Sequence, residues 1–189
     1  MYKSSRYIPI TQDNQYSCVI ACIQMILIKR NLKLLSQDKI GKYLGLIVPN
    51  KYKELVKFAK IGNKPSAGYG TQINKPKYSL NNFFRKNNYP LFETYYPLSK
   101  INNVSDFIKE QIKKDNDIII CLNYKILDKK YYNQGHTFII DSIDKDNLIL
   151  INPEYEAQKY KKVKLNKLIR AIKDHGEKNR GGFWIISKN

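Results

Sequence analysis

The chain has 189 residues, 42% of them apolar, and carries 34 Lys and Arg against 16 Asp and Glu, a formal net charge of +18. That length suits a single domain with a sizeable core, and no apolar run is long enough to span a bilayer. The charge draws acidic peptides, nucleic acid or anionic surfaces, but the lysines are spread along the chain as on a solvated surface. No RNP-type, zinc-finger or helix-turn-helix signature accompanies them, so nucleic acid is not the expected partner.

In chain order, the opening "MYKSSRYIPITQ" has no apolar segment of the kind that heads a secretory signal. Pro9 and the polar "TQDNQ" make it an extended arm. A helix is expected over Cys18–Arg30, with Ser17 as its N-cap and Lys29 and Arg30 at the negative end of its dipole. It is apolar on nearly every side, which predicts a buried central helix. Ser36 is placed to cap a helix in "QDKIGKYLG", and Asn50 one in "KYKELVKFAK". "IGNKPSAGYGTQINKPK" reads as a long loop, "LNNFFRKNN" as a short helix and "PLFETYY" as a strand. Ser105 is placed to cap "DFIKEQIKK".

Strand patterns then take over. "DIIICLNY" reads as a buried strand, and "HTFIIDSI" and "NLILIN" as a hairpin turning at "DKD". "QKYKKVKL" alternates as a strand, "NKLIRAI" is a short helix, and "GGFWIIS" is a last strand after the polar loop "DHGEKNRGG". Helices early and strands late predict an α+β fold, a helical lobe over about residues 1–90 packed on an antiparallel sheet lobe over about residues 91–189.

Three cysteines, Cys18, Cys22 and Cys121, are too few and too odd in number for a disulfide framework and point to a reducing, cytoplasmic setting. Cys18 opens the buried helix, where unpaired N–H groups and the helix dipole favour a thiolate, the reactive form of cysteine. Cys22, one turn further in, and Cys121, mid-strand, read as core residues. A nucleophile needs a base. His136 begins a strand at the rim of the sheet, whereas His175 lies in a polar loop and reads as solvated. A base needs an orienting partner. Asn152 ends the strand after His136, although a tight hairpin would set it opposite Ile139, on the wrong face, unless a bulge shifts the register. Acyl transfer also needs a donor for the developing oxyanion. Gln12, six residues before Cys18 on the arm, suits that role better than Gln15, which has little chain in which to fold back.

The pattern Q-x5-C-x-x-A-C-x-x-M over Gln12–Met25, followed by "GHTFIID" and by "INPE" sixteen residues after the histidine, resembles the bacteriocin-processing peptidases, papain-like enzymes that cut leader peptides after a double glycine. "GYGTQINKPKYSL" and "VKLNKLIRAI" extend the likeness to the middle loop and the late helix. The resemblance implies a papain-like fold with the site between the lobes. It implies Cys18 as nucleophile, His136 as general base, Asn152 as orienting residue and Gln12 as oxyanion donor, with no cofactor or metal. The family's usual glycine after the cysteine is Val19 here, and its usual aspartate before proline is Asn152. The expected activity is that of a cysteine peptidase on a peptide or protein substrate, an acidic one by charge. The alternatives are transfer of the acyl group to an amine at the same site, or a catalytically silent module that binds acidic peptides or nucleic acid. A metal site from Cys18, Cys22 and the histidines matches no zinc spacing.

Overall fold

The computed structural model of the chain describes residues 2–3, 7–65, 68–131 and 134–188. A short strand β1 (Tyr2–Lys3) precedes the arm and the central helix α1 (Cys18–Lys29). Next come α2 (Gln37–Tyr43), the two-residue strands β2 (Ile47–Val48) and β3 (Lys60–Ile61), α3 (Leu80–Lys86) and β4 (Leu91–Pro97). The second half holds α4 (Val104–Lys113), β5 (Asp117–Asn123), α5 (Tyr124–Leu127), β6 (Gly135–Asp144), β7 (Asn147–Ile151), β8 (Tyr160–Lys164), α6 (Leu165–His175) and β9 (Gly182–Lys188). Among the described residues, no helix is long and apolar enough to cross a membrane.

The main sheet runs β4-β9-β5-β6-β7-β8, antiparallel throughout, and β1 joins β6 beyond the end of β5. Side chains alternate across it with the period of two that a strand imposes. Ile119, Cys121, Ile139, Ile151, Trp184 and Ile186 face α1, α2 and α3. Ile118, Ile120, Phe138, Ile140, Leu150 and Phe183 face α4 and α6. With helices on both faces, every residue of β5 is buried, which is why "DIIICLN" is apolar without alternation.

Several elements differ from the sequence reading. Ser17 holds the N-cap position of α1, but its side chain makes no capping bond. Asn14 shapes the entry instead, its side chain accepting from Tyr16 N–H (2.9 Å) and its carbonyl from Ser17 N–H (3.0 Å). The segment after Pro49 stops as a 3₁₀ turn over Asn50–Leu55. There the Asp38 carboxylate takes the N–H groups of Lys57 and Phe58, at 3.1 and 3.0 Å, which a longer helix would have used internally. Asn103, not Ser105, caps α4, accepting from Asp106 N–H at 3.2 Å. Ser36 and Ser79 cap α2 and α3. Of the long loop, Ser66 and Ala67 lie outside the described residues.

The far end of α1 is tied down by a buried carboxylate. Asp117, fully buried at the start of β5, accepts from Lys29 Nζ (2.6 Å), Arg30 Nε (2.8 Å) and the Tyr7 hydroxyl (2.6 Å). Arg30 also pairs with Asp115. Removing one partner of such a network strands the others in a dry site. Asp117→Ala is therefore expected to cost about 3–5 kcal/mol of unfolding free energy, read as a lowered urea midpoint with an unchanged m-value.

Candidate active site

Cys18 lies at the first turn of α1, 9% exposed. Its sulfur meets the Thr137 hydroxyl and the backbone N–H groups of Thr137 and Val19. One turn on, the Cys22 thiol donates to the same hydroxyl oxygen (3.7 Å). Burial pushes the Cys18 thiol above its ordinary value, those donors offset part of the rise, and the charge of Glu154 adds to it. Desolvation thus outweighs the first-turn position, and Cys18 is a thiol at rest rather than the activated thiolate expected from the helix start. Cys22 and Cys121 are buried core residues, and all three cysteines are free.

The register question for Asn152 is answered at Asp141. Ile143 faces Leu148 and Ser142 faces Ile149, but Ile140 faces Leu150 and Ile139 faces Ile151, so Asp141 is an extra residue bulged out of the ladder. The one-residue shift carries Asn152 past Ile151 onto the face of His136. His136 Nε2 donates to Asn152 Oδ1 at 3.0 Å. The same Oδ1 accepts from Glu154 N–H (3.1 Å), and Asn152 Nδ2 donates to the Tyr124 hydroxyl (2.6 Å). A backbone N–H can only donate, so the amide orientation is fixed. The imidazole proton must sit on Nε2, and Nδ1 keeps its lone pair. Burial lowers His136 to about 4, against opposing contributions from Asn152 and the Glu154 charge, so the ring is neutral near pH 7.

Two aromatic side chains hold that ring. Tyr124 stacks on it, with centroids 4.7 Å apart and planes 15° apart, and Tyr131 stacks on the far face of Tyr124 at 3.8 Å. Phe138 meets the ring edge-on at 4.8 Å. Before His136, a Cβ on Gly135 would come within 2.5 Å of the His175 ring, so a larger residue there would have to displace His175. His175 is half-buried against that glycine rather than solvated.

Gln12 is 3% exposed. Its backbone N–H donates to Pro153 O (2.8 Å), and Gln37 grips both neighbours, accepting from Asp13 N–H (2.9 Å) and donating to Thr11 O (2.7 Å). The Gln12 side chain donates to the Glu154 carboxylate (3.0 Å), while its Oε1 is buried without a partner. Gln15 is engaged elsewhere, accepting from the Tyr52 hydroxyl (2.6 Å).

The structure therefore joins His136 to Asn152, sets Gln12 against the segment that follows Asn152, and seats Cys18 on Thr137, the residue after His136. Among the described residues no hydrogen bond joins Cys18 to His136 directly, and Glu154 is the charge that both sense. Thr137, Tyr124, Gln37 and Glu154 were missed from sequence. Thr137 and Glu154 adjoin motif residues, which was the one available signal; Tyr124 and Gln37 reach the site only through the fold. No group of three or more His, Cys, Asp or Glu among the described residues could hold a metal ion.

Two solved structures resemble the whole fold. A Bacillus anthracis protein assigned as a C39-like peptidase superposes with a TM-score of 0.64 at 13% identity, covering 99% of this chain and 98% of its own. A double-glycine motif protease from an AMS/PCAT transporter, solved with its leader peptide, superposes with a TM-score of 0.51 at 14% identity, covering 99% and 95%. The fold is thus α+β and papain-like, a helical segment on an antiparallel sheet. No curated protein matches in sequence. The profile of the Peptidase_C39-like family matches residues 5–176, nearly the whole chain, and the chain belongs to that family.

Proposed function

We propose that the protein is a cysteine peptidase that cleaves a peptide of the leader type through Cys18, His136, Asn152 and Gln12. The observation that carries this reading is the His136–Asn152 bond, which fixes the imidazole tautomer and leaves the Nδ1 lone pair for a proton. The next residue, Thr137, points to the opposite face of the strand, where it meets the Cys18 sulfur, so the proton transfer requires the two side chains to come together at the strand's end. The family and the double-glycine protease solved with its leader peptide support it. Three free cysteines suit a cytoplasmic setting.

With a neutral thiol and a neutral ring at rest, deprotonation accompanies attack. The Cys18 sulfur bonds to the substrate carbonyl carbon as its proton passes to His136 Nδ1. The carbonyl oxygen becomes an oxyanion held by the Cys18 N–H and the Gln12 amide. The C–N bond breaks as the imidazolium returns its proton to the leaving amine, leaving a thioester. Water then attacks the thioester, giving its proton to His136, and the thiolate departs and is reprotonated. Asn152 keeps the ring in plane throughout, and Tyr124 keeps Asn152 in place.

A groove of ≈ 620 Å³, which shares no lining residue with the site, suits an acidic stretch of such a substrate remote from the cut. Lys33, Lys39, Lys42, Lys77 and Lys86 line it together with Tyr43, Phe58 and Tyr78, and no carboxylate is among its lining residues. A second reading, a peptide-binding module without turnover, is favoured by the missing bond between Cys18 and His136.

Cleavage of a mixed peptide library, followed by mass spectrometry, separates the two. Cys18→Ala and His136→Ala should each lower it by about 10⁴-fold or more, and cuts that persist in both variants sink the peptidase reading. Because His136 must be neutral to act as base, kcat/KM should rise with pH through about 4 and stay level across neutrality. Tyr124→Phe leaves the Asn152 amide short of an acceptor and should lower kcat by about tenfold with KM little changed. Replacing Lys39, Lys42 and Lys77 by glutamine should raise KM for an acidic peptide by about tenfold at low salt and flatten its salt dependence. An unchanged KM would remove the groove from substrate binding.

A further inference from the structure

Glu154 is the charged group closest to the proposed machinery, and nothing in the reaction above uses it. Its carboxylate accepts from the Gln12 amide (3.0 Å), the group assigned to the oxyanion, and its other oxygen accepts from Tyr155 N–H (3.0 Å). A carboxylate on that amide occupies the donor as the carboxylate of a cleaved product would. The amide cannot turn round, because that would set its oxygen against the carboxylate. Its oxygen is instead left buried and unpartnered, an arrangement that costs free energy unless something later relieves it.

The second observation concerns countercharge. The chain has 34 Lys and Arg, yet among the described residues none forms an ion pair with Glu154. Lys159, the nearest candidate, donates its Nζ to the backbone carbonyl of Glu154 (2.8 Å) and not to the carboxylate. A half-buried carboxylate beside Gln12 that feels the Lys159 charge but forms no ion pair among the described residues keeps the capacity to pair with a cation that comes from outside.

We infer that Glu154 is a specificity residue: it holds the Gln12 amide in the free enzyme and releases it to a substrate that brings a lysine, an arginine or a free ammonium group next to the scissile bond. The incoming cation pairs with the carboxylate, and the amide is freed to meet the oxyanion as it forms. The inference rests on the peptidase reading of the same site. It also divides the substrate's charge pattern in two: acidic where it meets the lysine groove, cationic where it is cut.

The test uses the full chain and a peptide library made by cutting a proteome after glutamate, so that internal lysines and arginines survive. Cuts are mapped by mass spectrometry for the wild type, Cys18→Ala, Glu154→Ala and Glu154→Lys. Cys18-dependent cuts should show Lys or Arg at a flanking position about fivefold or more above library background. Glu154→Ala should flatten that preference while speeding cuts at neutral flanks, and Glu154→Lys should turn it toward Asp. Cys18-dependent cuts with no cation preference, or with the same preference in Glu154→Ala, overturn the inference and leave the peptidase reading standing. If no cut depends on Cys18, both fall together. Alkylation of Cys18 reads the same contact without any peptide: with the negative charge gone, its pH profile should move to lower pH in Glu154→Ala, and an unmoved profile counts against Glu154 acting at the thiol.

Discussion

The position of Cys18 depends on how α1 is held, and α1 is held at both ends by polar contacts in otherwise apolar surroundings. At its C-terminal end, Lys29 and Arg30 converge on the buried Asp117 carboxylate, with Tyr7 closing the third side. At its N-terminal end, Cys18 and Cys22 share the Thr137 hydroxyl. Between them, Cys18 through Leu27 are all buried. Apolar packing alone would let such a helix slide or rotate with small loss, because one greasy face resembles another. Ionic contacts inside a core contribute little net stability, but they penalise every other alignment. Asp117 begins β5 and Thr137 lies on β6, so neighbouring strands set the axial position of Cys18.

The electrostatics of the site come from burial more than from the helix. A dipole at a helix start favours a thiolate by a modest amount, whereas full desolvation of a thiol or an imidazole shifts its titration by more. Both Cys18 and His136 are pushed to their neutral forms, in opposite directions on the pH scale. The resting state is thus an uncharged pair beside a single carboxylate, in a protein whose surface is strongly cationic.

Much of this was legible in the sequence because it rests on local rules. The apolar run after Cys18 has one reading, a buried helix, and the spacing of "HTFIID" and "NLILIN" has one reading, a hairpin. The preference for Gln12 over Gln15 rested on chain geometry alone; the bonds that Gln15 makes to Tyr52 and Gln12 to Glu154 depend on distant partners. What stayed hidden depends on distant partners. Ser17 looks like a cap, but the turn built by Asn14 takes the chain into the helix without using its hydroxyl. The 3₁₀ turn after Pro49 is decided by Asp38, a residue of another helix. The neutral state of Cys18 could not be read from its place on a helix, because the deciding quantity is how much protein covers it.

The bulge at Asp141 has a consequence for how this hairpin can vary. Strand register is set separately on each side of an extra residue, so the tip from Ser142 to Ile149 and the base from Ile139 to Ile151 are two lengths of ladder joined by a slip joint. The pairing that aligns Asn152 with His136 belongs to the base. The tip answers to other partners: Ser142 and Ile143 pair with β1, Leu148 and Ile149 pair with β8, and Ile143 and Leu148 are buried. The extra residue thus lets one strand satisfy two ladders of different phase, with only the turn at Lys145 and Asp146 left to vary without passing a change of face down to the histidine.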